Sequence, residues 1–176
     1  MPVDRPPAAF PAGVTRREDP EMVDDLLIEL EHSQRHRLAD LPTCGLEPRT
    51  GIYALWYGRD LLYVGVSRQD PATTTNPQAR GVPGRLNTYR LARMGNDFTL
   101  AVAFRFVVPH LDSEQLAGLS DGRLGVKGVG ALVKTWRHDN VDFSAVLVDG
   151  ATALAAETVA RRSGLPGTEP PMMNPL

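Results

Sequence analysis

The sequence predicts a domain of the α/β class, and three features point to it. Two short runs rich in β-branched and aromatic residues, 51–57 and 61–67, flank Gly58-Arg59-Asp60 and read as a β-hairpin. Apolar residues recur at helical spacing ahead of that hairpin and again after it. A third β-rich run, 142–148, passes at once into a helical stretch at 151–162. At 176 residues the chain matches one domain with one core rather than two.

Each element has its own local reason. Residues 1–20 hold Pro2, Pro6, Pro7, Pro11 and Pro20 with little apolar periodicity, so they read as an extended arm. From 21 to 38, Met22, Val23, Leu26, Leu27 and Leu30 keep helical spacing, with acids in the first turn where the helix dipole favours them. A loop with Pro42, Gly45 and Pro48 leads into the hairpin. Pro83 and Gly84 open a helix over 85–94 that Gly95 stops. The weak alternation of 97–108 predicts a strand ending at Pro109. Helical pieces at 113–119 and 129–138 flank the glycine-rich stretch 125–130, which reads as a flexible connector. The chain thus divides into an N-terminal arm and helix at 1–40 and a main domain at 41–176, with an insertion at about 109–140.

Composition narrows the class further. A chain 42% hydrophobic and 23% charged has the make-up of an ordinary globule. No apolar run approaches the ~18 residues that cross a bilayer, so no membrane association is expected. The acidic, proline-rich N-terminus lacks the basic start and apolar stretch of a secretory signal, and a cytoplasmic location is expected. A single cysteine, Cys44, excludes an internal disulfide and a multi-cysteine zinc site. His32 and His36 stand four apart and read as solvated helix surface rather than as metal ligands.

The net charge of −2 hides a strong asymmetry. Residues 1–40 carry five arginines against nine acids, a balance of −4, whereas 80–137 carry nine bases against four acids, a balance of +5. The basic middle is where an anionic partner would bind. Arg80, Arg93, Lys127, Lys134 and Arg137 are its candidate phosphate contacts.

The hairpin carries the chemistry. With a three-residue loop, opposed positions sum to 118, so Gly65 lies opposite Tyr53, and Tyr53 and Tyr63 share one face. Gly51-Ile52-Tyr53, followed ten residues after that tyrosine by Tyr63-Val64-Gly65, resembles the signature of the GIY-YIG nuclease family. Three further residues stand in the order the resemblance requires: Arg85 in the helix after the hairpin, Glu157 on a late helix after a strand, and Asn174 in a proline-containing tail. Two positions depart from the pattern. Val66 stands where many relatives carry a polar residue, and Tyr89, one turn after Arg85, stands where several have histidine.

The resemblance implies a small central, mainly antiparallel sheet flanked by helices, and a metal-dependent endonuclease acting on duplex DNA. In that reading Glu157 holds Mg²⁺, with Mn²⁺ as the alternative ion, and Arg85 clamps the phosphate. Tyr53 serves as general base with Tyr63 orienting water or phosphate, or the reverse, while Tyr89 shares the helix face of Arg85. Asn174 fixes the chain end near the metal. With no room for a separate DNA-binding domain, a restriction-type enzyme is the expectation. A non-catalytic nucleic-acid-binding relative and a structure-specific DNA or RNA nuclease are the alternatives.

Overall fold

The computed structural model describes residues 20–67, 81–91 and 95–174. The N-terminal arm, Arg80 and Arg93 lie outside the described residues. Among the described residues the chain is α/β: an antiparallel sheet of four strands with helices on both faces.

The core strand is β2, Gly51–Tyr57, paired on one side with β3, Asp60–Ser67, and on the other with β4, Val141–Leu147. Residues 51–56 of β2 are all buried, as expected for a strand covered on both faces. The predicted register holds over most of the hairpin, with Tyr53 opposite Gly65 and Leu55 opposite Tyr63. The turn differs: Tyr57 pairs with Asp60 across a two-residue link, and an irregularity beside Leu55 and Trp56 takes up the extra residue.

Alternation along β2 sends side chains to two separate cores. Ile52, Ala54 and Trp56 face α1, Pro20–His32, and α6, Gly150–Ser163. Tyr53 and Leu55 face the opposite layer, which contains α2, Gly81–Arg90, α3, Asp97–Val102, and α5, Val126–Asn140. Buried in the first core, the Trp56 indole N–H donates to Ser144 Oγ at 3.0 Å, and that hydroxyl donates to the Leu30 carbonyl at 3.0 Å. These bonds tie α1 to the sheet. They also satisfy polar groups that would be costly to bury alone.

Four expectations need correction. The first helix stops at His32, where the His32 ring meets the Ile28 carbonyl at 2.9 Å and Ser33 Oγ donates to the Glu29 carbonyl at 2.7 Å. The chain then forms a short strand, β1, His36–Arg37, beside β4. His36 therefore lies across from Phe143 with the two rings tilted and their centroids 5.6 Å apart, and is not on a helix surface.

The predicted strand at 97–108 is helical: α3 runs on as a π turn, Ala103–Val107, and a 3-10 turn, Val108–His110. Asn96 caps it, accepting from the Thr99 N–H at 3.3 Å. Burial of Phe98, Thr99, Val102, Ala103 and Val107 follows a helical period, so tertiary packing overrides the strand preference of the aromatic and β-branched residues.

The helix after the hairpin begins at Gly81, placing Arg85 in its second turn. Gly81 has φ of 58°, and a Cβ there would strike the backbone of Arg49, whose carbonyl receives the Val82 N–H at 2.9 Å. Finally, the glycine-rich stretch is no connector. Gly128 and Gly130 lie within α5, which follows α4, Ser113–Ser120.

Candidate active site

Tyr53 and Tyr63 arrive from adjacent strands, and Tyr89 comes down onto them from α2. The hydroxyls of Tyr53 and Tyr89 are 3.0 Å apart and share a hydrogen bond. Ring centroids of Tyr53 and Tyr63 are 6.3 Å apart, and that of Tyr89 is 5.9 Å from the first and 5.6 Å from the second. Phe98 of α3 closes the group edge-on, 5.7 Å from Tyr63 and 5.2 Å from Tyr89.

The group fits only because position 65 has no side chain. A Cβ on Gly65 would collide with the Tyr53 hydroxyl and approach Tyr53 Cζ and Tyr63 Cε1, each at 2.7 Å. Gly65→Ala is therefore expected to displace both rings and to cost about 1–3 kcal/mol, the range typical of overpacking. Denaturant titration reads the loss, and an unchanged midpoint would mean that the rings yield freely.

Arg85 and Tyr89 are one turn apart on α2. The exposed Arg85 guanidinium lies 5.6 Å from the centre of the Tyr89 ring, in contact range for a cation over an aromatic face, and interacts with the Tyr53 hydroxyl. Partial burial works against its charge, but the surrounding tyrosines, Tyr89 foremost, more than offset this and hold it protonated. Burial pushes Tyr53 well above the ordinary tyrosine range, and the neighbouring hydroxyls of Tyr89 and Tyr63 add to it, while Arg85 pulls the other way. Tyr63 is raised for the same first reason, with Tyr89 next and a smaller contribution from Glu157.

Exposure separates the tyrosines. Tyr53 is fully enclosed and Tyr89 nearly so, whereas Tyr63 is half-buried. Of the three hydroxyl-bearing rings, Tyr63 is thus the one that solvent reaches. Glu157 stands half-exposed on α6, and its carboxylate is close enough to Tyr63 to act on that hydroxyl electrostatically.

Asn174 is brought to the same strand by backbone pairing. Its Oδ1 accepts from the Val64 N–H at 2.7 Å and its Nδ2 donates to the Val64 carbonyl at 2.8 Å. The preceding Met172 and Met173 N–H groups donate to the carbonyls of Leu61 and Leu62, at 3.1 and 2.9 Å. Asn174 thus anchors the tail on β3, one residue from Tyr63.

Of the basic candidates, Lys127 and Lys134 are exposed on α5. Arg137 is not: it is fully buried, and the surface contact expected of it is corrected. Its Nη1 donates to Thr99 Oγ1 at 3.3 Å, and its guanidinium lies 5.7 Å from the centre of the Phe98 ring. Val129, Val133 and Arg137 form the buried stripe of α5, so the arginine occupies a place in an apolar ladder. Phe98, Thr99 and the inward placement of Arg137 are what the sequence did not announce in this region. The cap pattern Asn96-x-x-Thr99 was the signal that could have found the first two.

No family model, curated protein or solved structure matches the chain.

Proposed function

We propose that the protein is a metal-dependent endonuclease of the GIY-YIG kind that hydrolyses phosphodiester bonds in duplex DNA, with recognition built into the catalytic domain as in a restriction enzyme. What supports this most is convergence: Tyr53, Tyr63, Arg85 and Tyr89 gather on one face of the sheet, with Glu157 in electrostatic reach of Tyr63.

In this reading the exposed Arg85 guanidinium grips the scissile phosphate through paired N–H donors. Tyr63 orients the attacking water, and Tyr53 holds Tyr89 in place from the enclosed side. Arg85 acts against the burial that keeps these hydroxyls protonated, which favours transfer of negative charge onto the cluster. The described residues include no cluster of three or more His, Cys, Asp or Glu side chains that could hold a metal. One half-exposed carboxylate nevertheless suits Mg²⁺, which keeps most of its waters. Glu157 would hold that ion, or Mn²⁺, and the bound metal would supply charge neutralisation at the scissile phosphate and the leaving oxygen.

The same enclosure favours a second reading. Tyrosines held this firmly in the protonated state suit a protein that binds nucleic acid without cutting it. Incubation of the protein with plasmid, single-stranded DNA and RNA, each with Mg²⁺ and with EDTA, separates the readings. Cleavage of duplex DNA that EDTA abolishes is the expected result. Cleavage confined to single-stranded DNA, or to RNA, would move the assignment to a structure-specific or RNA nuclease. Binding without cleavage of any substrate, with Mg²⁺ or Mn²⁺, would favour the second reading.

The exposed acids of α1, Glu21, Asp24, Asp25 and Glu29, lie on the layer opposite the tyrosine face, so DNA approaching that face is separated from them by the sheet. Lys127 and Lys134, seven apart on α5, share an outward stripe. Lys127→Ala and Lys134→Ala should each reduce the slope of log affinity against log salt by about one. Titration across a salt series checks this, and two slopes equal to the wild type would make the lysines solvated surface only.

A further inference from the structure

Arg137 presents a problem that the fold does not solve. It is fully buried, its Nε and Nη2 have no hydrogen-bond partner among the described residues, and its single bond is to a neutral hydroxyl, Thr99. Its contacts with Thr99 and Phe98 bring it no carboxylate. A buried cation normally carries a paired anion, because desolvation otherwise penalises its charge. The polar groups in its direction are the tyrosines: Phe98, against which Arg137 lies at 5.7 Å, touches the rings of both Tyr63 and Tyr89. Arg85 stands on the open side of the same cluster. Tyr89 therefore has two guanidinium groups acting on it, the exposed Arg85 of its own helix and the enclosed Arg137 of α5.

We propose that Arg137 is a positioning residue of the tyrosine site, supplying from the enclosed side a fixed positive charge that stabilises negative charge on the hydroxyl cluster. This deepens the nuclease reading by naming the group that offsets the enclosure of the tyrosines. The charge reaches its target through protein rather than solvent, so it is screened far less than that of a surface arginine. Its own cost is visible: burial pulls Arg137 down to about 10, with Tyr89 alone acting in the opposite sense.

The test reads the cluster without requiring cleavage. Tyr89 is replaced site-specifically by a fluorinated tyrosine whose phenol ionises near neutrality, and its ionisation is followed by ¹⁹F NMR in the full chain. The groups around that phenol are Tyr53 on β2, Tyr63 on β3 with Glu157 beyond it, Arg85 on its own helix, and Arg137 on α5, while the next titratable residue of α5, His138, meets the Arg90 carbonyl instead. Arg137→Met, which keeps the bulk and removes the charge, should raise the midpoint by about one pH unit, from a charge acting across roughly two side chains. Arg137→Lys, which keeps the charge, should leave it near the wild-type value. An unmoved midpoint in Arg137→Met would overturn the proposal and leave Arg137 a packing residue. If Arg137→Met does not fold, Arg137→Lys decides alone: a retained midpoint supports the role of charge, and a midpoint raised by a full unit overturns it. A midpoint shift in a protein that cleaves no nucleic acid would keep this role and remove the nuclease reading.

Discussion

Glu157→Ala is expected to abolish cleavage, with a rate loss of at least ~10²-fold by comparison with other lost electrostatic stabilisers. In the proposed reading Glu157 is the carboxylate that would hold the divalent ion, and a Mg²⁺ held by a single protein ligand would have little to retain it once that ligand is gone. The side chain is half-exposed on the outer part of α6, while the helix is held to the sheet by Thr152, Ala153, Ala156 and Ala160. The fold should therefore survive. Initial rates with increasing Mg²⁺ check the rate loss, and Mn²⁺ binding by the same variant checks its cause. A lowered melting temperature with activity retained would identify Glu157 as a structural residue, and near-wild-type rates would remove it from the site.

Arg85→Ala should produce a loss of similar size for a different reason. Arg85 is the exposed cation of the cluster, and it is also the group that opposes the upward push of burial on Tyr53 and Tyr63. Its removal would take away the proposed phosphate grip and leave the hydroxyls harder to ionise. A fall of at least ~10²-fold in rate is expected, with the remaining activity displaced toward higher pH. Arg85→Lys keeps a charge but not the planar fork, so it should recover only part of the rate. A pH–rate profile for the three proteins measures both effects. Equal rates in Arg85→Ala and the wild type would end the assignment of Arg85.

Much of this arrangement was legible because it depends on local rules. Strand alternation and the turn were enough to bring Gly65 opposite Tyr53, even though the turn is one residue shorter than expected and an irregularity restores the register. Helical spacing gave α1 and α6 their buried faces in the same way. What was not legible depends on long-range packing. Residues 97–110 carry strand-forming side chains, yet they coil against α5 and supply the floor of the tyrosine cluster. Leu38 seemed to prolong the first helix, whereas it belongs to the other core, reached after the chain has crossed the sheet edge through β1. Arg137 looked like one more surface base in a basic segment. Its spacing of four from Val133 and eight from Val129 was the only local sign that it points inward.

The docking of the tail on β3 has a consequence for how the molecule behaves among its own copies. An outer strand with free N–H and C=O groups is a template on which another chain can pair. One side of this sheet ends in β1, only two residues long, which offers little to pair with. The other side ends in β3, eight residues long and largely apolar, and there Met172, Met173 and the Asn174 amide occupy the backbone groups of Leu61, Leu62 and Val64. The last turn of the described chain thus works as a guard against strand-to-strand association. A chain shortened to end before Met172 would expose that edge, and its first defect would be dimers and larger aggregates, detectable by light scattering.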